Sequence, residues 1–133
     1  MTQGFWGKLK KPFFIMAPMA DVTDAAFRRL IAKYSNHGKL EGGPDVFYTE
    51  FVSCDGLCSK GREALLTDFK YSKEEHPIVA QIFGGNPENI RDATKLCKKL
   101  GFDGIASLHF YRDNPCSDLC RQSLIFCIIL SHL

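Results

Sequence analysis

The segment FFIMAPMADVTD, Phe13–Asp24, decides how the rest of the chain is read. It is a short apolar run that breaks at Pro18. It then passes through Asp21, Thr23 and Asp24 into the amphipathic stretch AAFRRLIAKY, Ala25–Tyr34. The pattern predicts a buried strand over Phe13–Ala17, a tight turn and a helix capped by Thr23 or Asp24. In α/β proteins, turns at the carboxyl ends of strands are where ligands gather.

Outward from there the same rhythm repeats. In the first helix Phe27, Leu30, Ile31 and Tyr34 fall at i, i+3, i+4 and i+7, which predicts one buried face. The polar run NHGKLEGGP, Asn36–Pro44, marks a loop. A second strand follows over Asp45–Glu50, a short helix near Lys60–Leu66, and a third strand over Ile78–Phe83 between Pro77 and Gly84-Gly85. The nearly unbroken apolar run IVAQIF suits a parallel strand covered on both faces. The clearest helix is Pro87–Leu100. Asn86 caps it, Pro87 takes its first position, and Glu88 and Lys95, Lys98 and Lys99 suit its dipole. Ile90, Ala93, Leu96, Cys97 and Leu100 form its apolar stripe, and Gly101 ends it. Phe102–Ile105 opens a fourth strand. Alternating strands and helices argue for βαβ units and a parallel sheet.

The rhythm fails after Ile105. Residues 106–133 hold Cys116, Cys120 and Cys127, and no charge follows Arg121. The uncharged, β-prone SLIFCIILSHL is an aggregation signature. Residues 106–133 are therefore read as a divergent tail, and 1–105 as the body of the fold.

The bulk properties set bounds. A chain of 133 residues can form one domain with a real core. A net charge of +2 neither demands nor excludes nucleic acid. MTQGFWGKLKKP has no apolar signal core, so the six cysteines read as cytoplasmic thiols. The longest apolar run, Leu124–Leu130, is far below the roughly 18 residues of a membrane span.

Several residues invite a chemical reading, each beside a plainer one. Pro18-Met19-Ala20 is either a ligand-facing turn or a simple strand-to-helix connection. Gln81 puts a polar amide inside an apolar strand; it needs partners, which could be a ligand or neighbouring backbone. Thr49 and Glu50 end the second strand; the carboxylate could orient a ligand, or serve as a helix cap or ion pair. Gly84-Gly85-Asn86 precedes a helix but lacks the spacing of a phosphate loop, and reads as structural. Cys54-x₃-Cys58 and Cys116-x₃-Cys120 could together hold zinc, but no metal site is assigned. None of His37, His76, His109 and His132 sits beside a nucleophile pattern, and His76 before Pro77 reads as a loop residue. Lys8, Lys10 and Lys11, around Phe5 and Trp6, read as a solvated terminus with RNA phosphates as the alternative.

Taken in order, PFFIMAPMADVTD, TEFVSCDGL (Thr49–Leu57) and PIVAQIFGGNPENI (Pro77–Ile90) resemble the start of the tRNA-dihydrouridine synthase family. The resemblance runs from Phe13 to Ile105. It implies an α/β fold, the N-terminal half of a TIM (β/α)₈ barrel, since a whole barrel takes roughly 250 residues. It implies a flavoprotein oxidoreductase that reduces the C5=C6 bond of chosen tRNA uridines, with FMN as cofactor and NADPH as reductant. In the family the turn matching Pro18, Met19 and Ala20 and the strand glutamine matching Gln81 bind FMN. These four are the cofactor-binding residues that carry over, and tRNA is the implied partner.

The chain also departs from the family. There, a GFDGI-like segment continues into Asp-Ile-Asn-Met-Gly-Cys-Pro, whose Cys is the proton donor. Here Gly101–Ile105 runs on into Ala106-Ser-Leu-His-Phe-Tyr-Arg. Cys116 lies about a strand's length too late, so no catalytic residue is assigned. The break suggests a frameshift, a read-through junction or an alternative transcript. The chain alone is expected not to reduce uridine, to bind FMN weakly and to be poorly soluble, because half a barrel leaves sheet edges unpaired. The competing readings are another FMN-dependent barrel oxidoreductase acting on a small molecule, and a non-enzymatic zinc or RNA-binding module.

Overall fold

The computed structural model describes residues 4–10, 12–37, 42–109 and 126–129. Their elements are α1 (Ala25–Tyr34), β1 (Phe47–Ser53), α2 (Cys54–Leu57), α3 (Arg62–Leu65), β2 (Ile78–Gly84), α4 (Pro87–Leu100), β3 (Gly104–His109) and β4 (Phe126–Ile129). Short 3₁₀ turns cover Gly4–Lys8 and Lys73–Glu75. The strands form one sheet in the order β1-β2-β3-β4. β1, β2 and β3 run parallel and β4 is antiparallel to β3.

The α/β class and the parallel sheet agree with the sequence. α4 spans the expected residues: the Asn86 side chain accepts from Glu88 N–H, and Gly101 closes the helix at φ 87. A left-handed residue there favours glycine. β2 is buried almost throughout, as a central parallel strand should be.

Side chains alternate between two apolar layers. On one face Phe47, Val52, Ile78, Ala80, Ile82 and Ile105 pack with Cys54, Leu57, Ile90, Ala93 and Cys97 from the helical layer. Full burial of an Ile or Phe stabilises by about 1.5–3 kcal/mol. On the other face Val46, Tyr48, Val79 and Ala106 are covered by Phe5, Trp6 and Leu9 of the N-terminal segment. Trp6 lies 4.5 Å from Phe5 and 5.9 Å from Phe13, ring to ring. Aromatic residues in the N-terminal lysine cluster thus serve as core. Lys8 and Lys10 are exposed, and Lys11 lies outside the described residues.

Several expectations are corrected or refined. The first strand, Phe13–Ala17, is an extended segment with a single bridge, Ile15 to Val46. Among the described residues its backbone bonds reach Asp45 and Val46. Phe14 is 69% exposed, because no described element covers that edge. In α1, Leu30 and Tyr34 are exposed and the buried residue is Arg28. Only part of the expected stripe faces inward: Ile31, with Ala32, packs against the core, and the buried Arg28–Glu75 ion pair docks the helix beside them. The second strand runs on to Ser53, so Thr49 and Glu50 lie inside it. The fourth strand continues past Ile105 to His109. The helix expected near Lys60–Leu66 is the short α3, preceded by the unanticipated α2. Leu100, placed on the α4 stripe, is 39% exposed at the helix end.

Candidate functional site

The site is built at the carboxyl end of the sheet, where the segment after Ala17 meets β1 and β2. The turn Pro18–Thr23 is held by four hydrogen bonds. Val22 N–H and Thr23 N–H both donate to the Met19 carbonyl. The Thr23 hydroxyl accepts from Met19 N–H at 2.9 Å and donates to Met19 O at 3.1 Å. Asp21 sits at φ 59, the left-handed conformation that Asp tolerates better than most residues. Thr23 is therefore a staple within the turn, and Asp24 is the helix cap, accepting from Phe27 N–H at 2.7 Å.

The turn stands on a buried ionic post. Arg28 Nε donates to Glu75 Oε2 at 2.7 Å with both side chains fully buried. The other guanidinium nitrogens donate to Thr23 O at 2.7 Å and Lys70 O at 2.5 Å. Glu75 Oε1 accepts from Ser72 N–H at 2.7 Å. Every charged atom of the pair thus has a partner, which is what a charge taken out of water requires.

Inside β1 the ladder slips. Tyr48 pairs with Val79 and Phe51 with Gln81, so Thr49 and Glu50 together face Ala80. This is a β-bulge, and it reverses side-chain parity. Tyr48 joins the Val46 layer, whereas Val52 falls in the opposite core beside Phe47. Phe51 is thereby placed level with Gln81. Its ring lies edge-on to Phe83 at 5.4 Å, and it is half-exposed.

Thr49 is fully buried. Its hydroxyl accepts from Gln81 N–H at 3.0 Å and donates to Glu50 O at 2.9 Å. Glu50 Oε1 accepts from Val22 N–H at 3.1 Å, sharing that hydrogen with Met19 O. Among the described residues Glu50 makes no helix cap and no ion pair; it ties β1 to the turn.

Gln81 is 4% exposed, and its side-chain carbonyl Oε1 has no hydrogen-bond partner among the described residues. A buried amide oxygen left unpaired costs about 1–3 kcal/mol, so it marks a place where a donor belongs. Of the other expected residues, Pro18 is half-buried and Met19 and Ala20 are exposed. Met19 lines an apolar groove of about 560 Å³ with Phe14, Met16, Phe27 and Ile31. Among the described residues no polar side chain lines that groove.

The remaining candidates have structural positions. Gly84 is buried against Cys54, whose Cβ would lie 3.1 Å from a Cβ at residue 84. His76 pairs with Asp103 at 2.6 Å and meets the Tyr71 ring edge-on. His37 bonds the carbonyls of Pro44 and His76. Cys54 and Cys97 are buried thiols. Burial, then the charges of Asp55 and Cys58, push Cys54 up to about 12. Burial, then Cys54, does the same to Cys97, to about 12. Cys58 is exposed. No group of three or more His, Cys, Asp or Glu side chains is placed to hold a metal among the described residues. Cys116, Cys120 and His132 lie outside those residues, as does the side chain of His109.

A parallel β/α sheet with a polar cluster inside β1 and β2, tied to the turn after Ala17, defines an α/β protein with a site on that sheet. Residues 15–106 match the model of the family described as Dihydrouridine synthase (Dus), and the chain belongs to that family. Over 106 residues it is 40% identical to a "Probable tRNA-dihydrouridine synthase 2" of Bacillus subtilis and to a "Probable tRNA-dihydrouridine synthase" of Staphylococcus aureus. A Staphylococcus epidermidis relative with the same description is 38% identical. In each case the match covers 79% of this chain and 30% of the relative. Among the described residues no helix is long and apolar enough to cross a membrane.

Proposed function

We propose that this chain is the first portion of a flavin-dependent tRNA-dihydrouridine synthase and forms one wall of its FMN site. The observation that carries the proposal is the unpartnered carbonyl of Gln81. The pyrimidine edge of an isoalloxazine carries one N–H donor between two carbonyls, and a carboxamide matches such an edge. Family membership supports the same reading, as does the place of Pro18, Met19 and Ala20 on a turn tied to the neighbouring strand. The sheet is then the opening part of a (β/α) barrel, with the segment at Phe14–Ala17 as its first strand.

FMN would be held by Gln81 and by the Pro18-Met19-Ala20 turn, and would supply hydride chemistry for reducing uridine C5=C6 in tRNA, with NADPH as reductant. The protein's own work is to position the ring and to keep water away from it. Phe51 and Phe83 provide apolar surface beside Gln81 for that purpose. A target uridine reaches such a ring only when turned out of its stack. The setting is cytoplasmic, where tRNA and NADPH are found.

This chain binds FMN weakly and does not by itself reduce uridine. The segment after Ile105 reads Ala106-Ser-Leu-His, not the family's proton-donor motif. Residues 106–133 would then be a divergent tail of frameshift or read-through origin, appended to a family body over 1–105. The test is an equilibrium titration of FMN into the full chain, comparing the native sequence with Gln81→Leu. Loss of binding by at least tenfold in the variant is expected, about the value of one buried hydrogen bond. Equal affinity would remove Gln81 from the site.

A further inference from the structure

Of the two expected flavin contacts, one lies on the Pro18–Thr23 turn and the other on β2, and nothing in the family resemblance says what sets their spacing. We infer that the bulge residues Thr49 and Glu50 are positioning residues that lock the Pro18–Thr23 turn to the strand carrying Gln81. The inference rests on the flavin reading above and adds to it the device that holds the two contacts in register.

Its geometry is a short covalent bridge with a hydrogen bond at each end. Thr49 reaches β2, accepting from the N–H of Gln81 itself. Glu50, the next residue, reaches the turn at Val22. The Thr49 hydroxyl also donates to Glu50 O, which stiffens the pair. A regular strand could not do this. Adjacent side chains would point to opposite faces, and Gln81 N–H would seek a backbone carbonyl. The extra residue at the bulge frees that N–H for Thr49 and turns Glu50 towards the turn. From the other side, Arg28 holds Thr23 O and Thr23 holds Met19. The turn is therefore clamped between the Arg28–Glu75 post and the bulge.

The chemistry at the two ends differs. Glu50 needs only an oxygen acceptor, so Glu50→Gln should keep the tie and Glu50→Ala should lose it. Thr49 is buried and needs its hydroxyl, so Thr49→Ser should keep the tie. Thr49→Val, of the same shape, leaves Gln81 N–H unpaired. A role confined to packing would rank these variants differently, with valine the better tolerated of the two at position 49.

The test uses the full chain and two readouts. Amide hydrogen exchange is followed for Met19–Thr23 without flavin, with β2 as internal control. FMN affinity is measured on the same variants at a temperature where all are folded. Glu50→Ala should speed exchange at Val22 by about tenfold, the worth of one charge-assisted bond, and leave the control unchanged. Glu50→Ala and Thr49→Val should bind FMN about tenfold more weakly, with Glu50→Gln and Thr49→Ser within about twofold of the native chain. Unchanged exchange at Val22 in Glu50→Ala overturns the inference whether or not flavin binds. Faster exchange with native FMN affinity overturns the role in positioning. A native chain that fails to bind FMN overturns the flavin reading, and exchange then decides the clamp alone.

Discussion

Replacing Glu75 by Gln should cost this fold about 3 kcal/mol, at the lower end of what is lost when one member of a buried ion pair is removed. Arg28 and Glu75 are both fully buried and 2.7 Å apart. Gln at 75 keeps the shape and can still accept from Ser72 N–H, so the change removes the charge together with the acceptor for Arg28 Nε. The guanidinium then keeps only the carbonyls of Thr23 and Lys70. Those bonds leave the Arg28 Nε–H without its acceptor and the charge uncompensated inside the protein. Against a typical total of 5–15 kcal/mol, a loss of ~3 kcal/mol is large. Urea unfolding monitored by circular dichroism gives the comparison, with equal m-values required. The double variant Arg28→Met with Glu75→Leu should lose less than the two single changes summed, because no orphan charge remains. A loss below about 1 kcal/mol for Glu75→Gln, or strict additivity in the cycle, would refute the view that this pair is the post beneath the turn.

Other consequences are local. Asn86→Ala removes the cap that accepts from Glu88 N–H at 2.9 Å and should lower stability by about 1 kcal/mol by urea unfolding. Gly101→Ala forces a side chain to φ 87 and sets its Cβ 3.0 Å from the Tyr71 hydroxyl; a loss of about 1–2 kcal/mol is expected. Cys58 should be alkylated by iodoacetamide in the folded chain at pH 8, with Cys54 and Cys97 labelled only after denaturation; mass spectrometry of the labelled peptides checks this. The same two thiols predict a pH effect. Their folded values, about 12, lie above the ordinary 9.0, so the folded state keeps protons that the unfolded chain releases. Their contribution is intact below about pH 9 and is lost as pH rises towards 12, and urea midpoints across that range should fall accordingly.

What was legible in the sequence was whatever is decided by neighbours along the chain. α4 carries its own cap, first-position proline, dipole charges and terminal glycine, and it stands where those signals put it. β2 declares itself by an apolar run between Pro77 and two glycines. Gln81 was legible too, as a polar side chain in that run, although its unpaired carbonyl was not. Illegible features depend on distant partners. Arg28 meets Glu75 across 47 positions, and periodicity counts Leu30 and Tyr34 as core without knowing that an ion pair docks the helix. The bulge at Thr49–Glu50 exists only in the register between β1 and β2. A threonine followed by a glutamate within a β-prone run was its one trace, and that pair reads equally well as a strand end.

The most direct test of the account is a comparison of FMN with N3-methyl-FMN, titrated into the full chain and followed by flavin fluorescence. The methyl group removes the single N–H that the Gln81 carbonyl would accept and leaves the phosphate, the ribityl chain and the ring face unchanged. The account predicts affinity at least about tenfold lower for the methylated ring, and no such difference in the Gln81→Leu chain. Equal affinity of the native chain for both flavins would show that the unpaired carbonyl of Gln81 does not face the cofactor, and would contradict the site proposed for it.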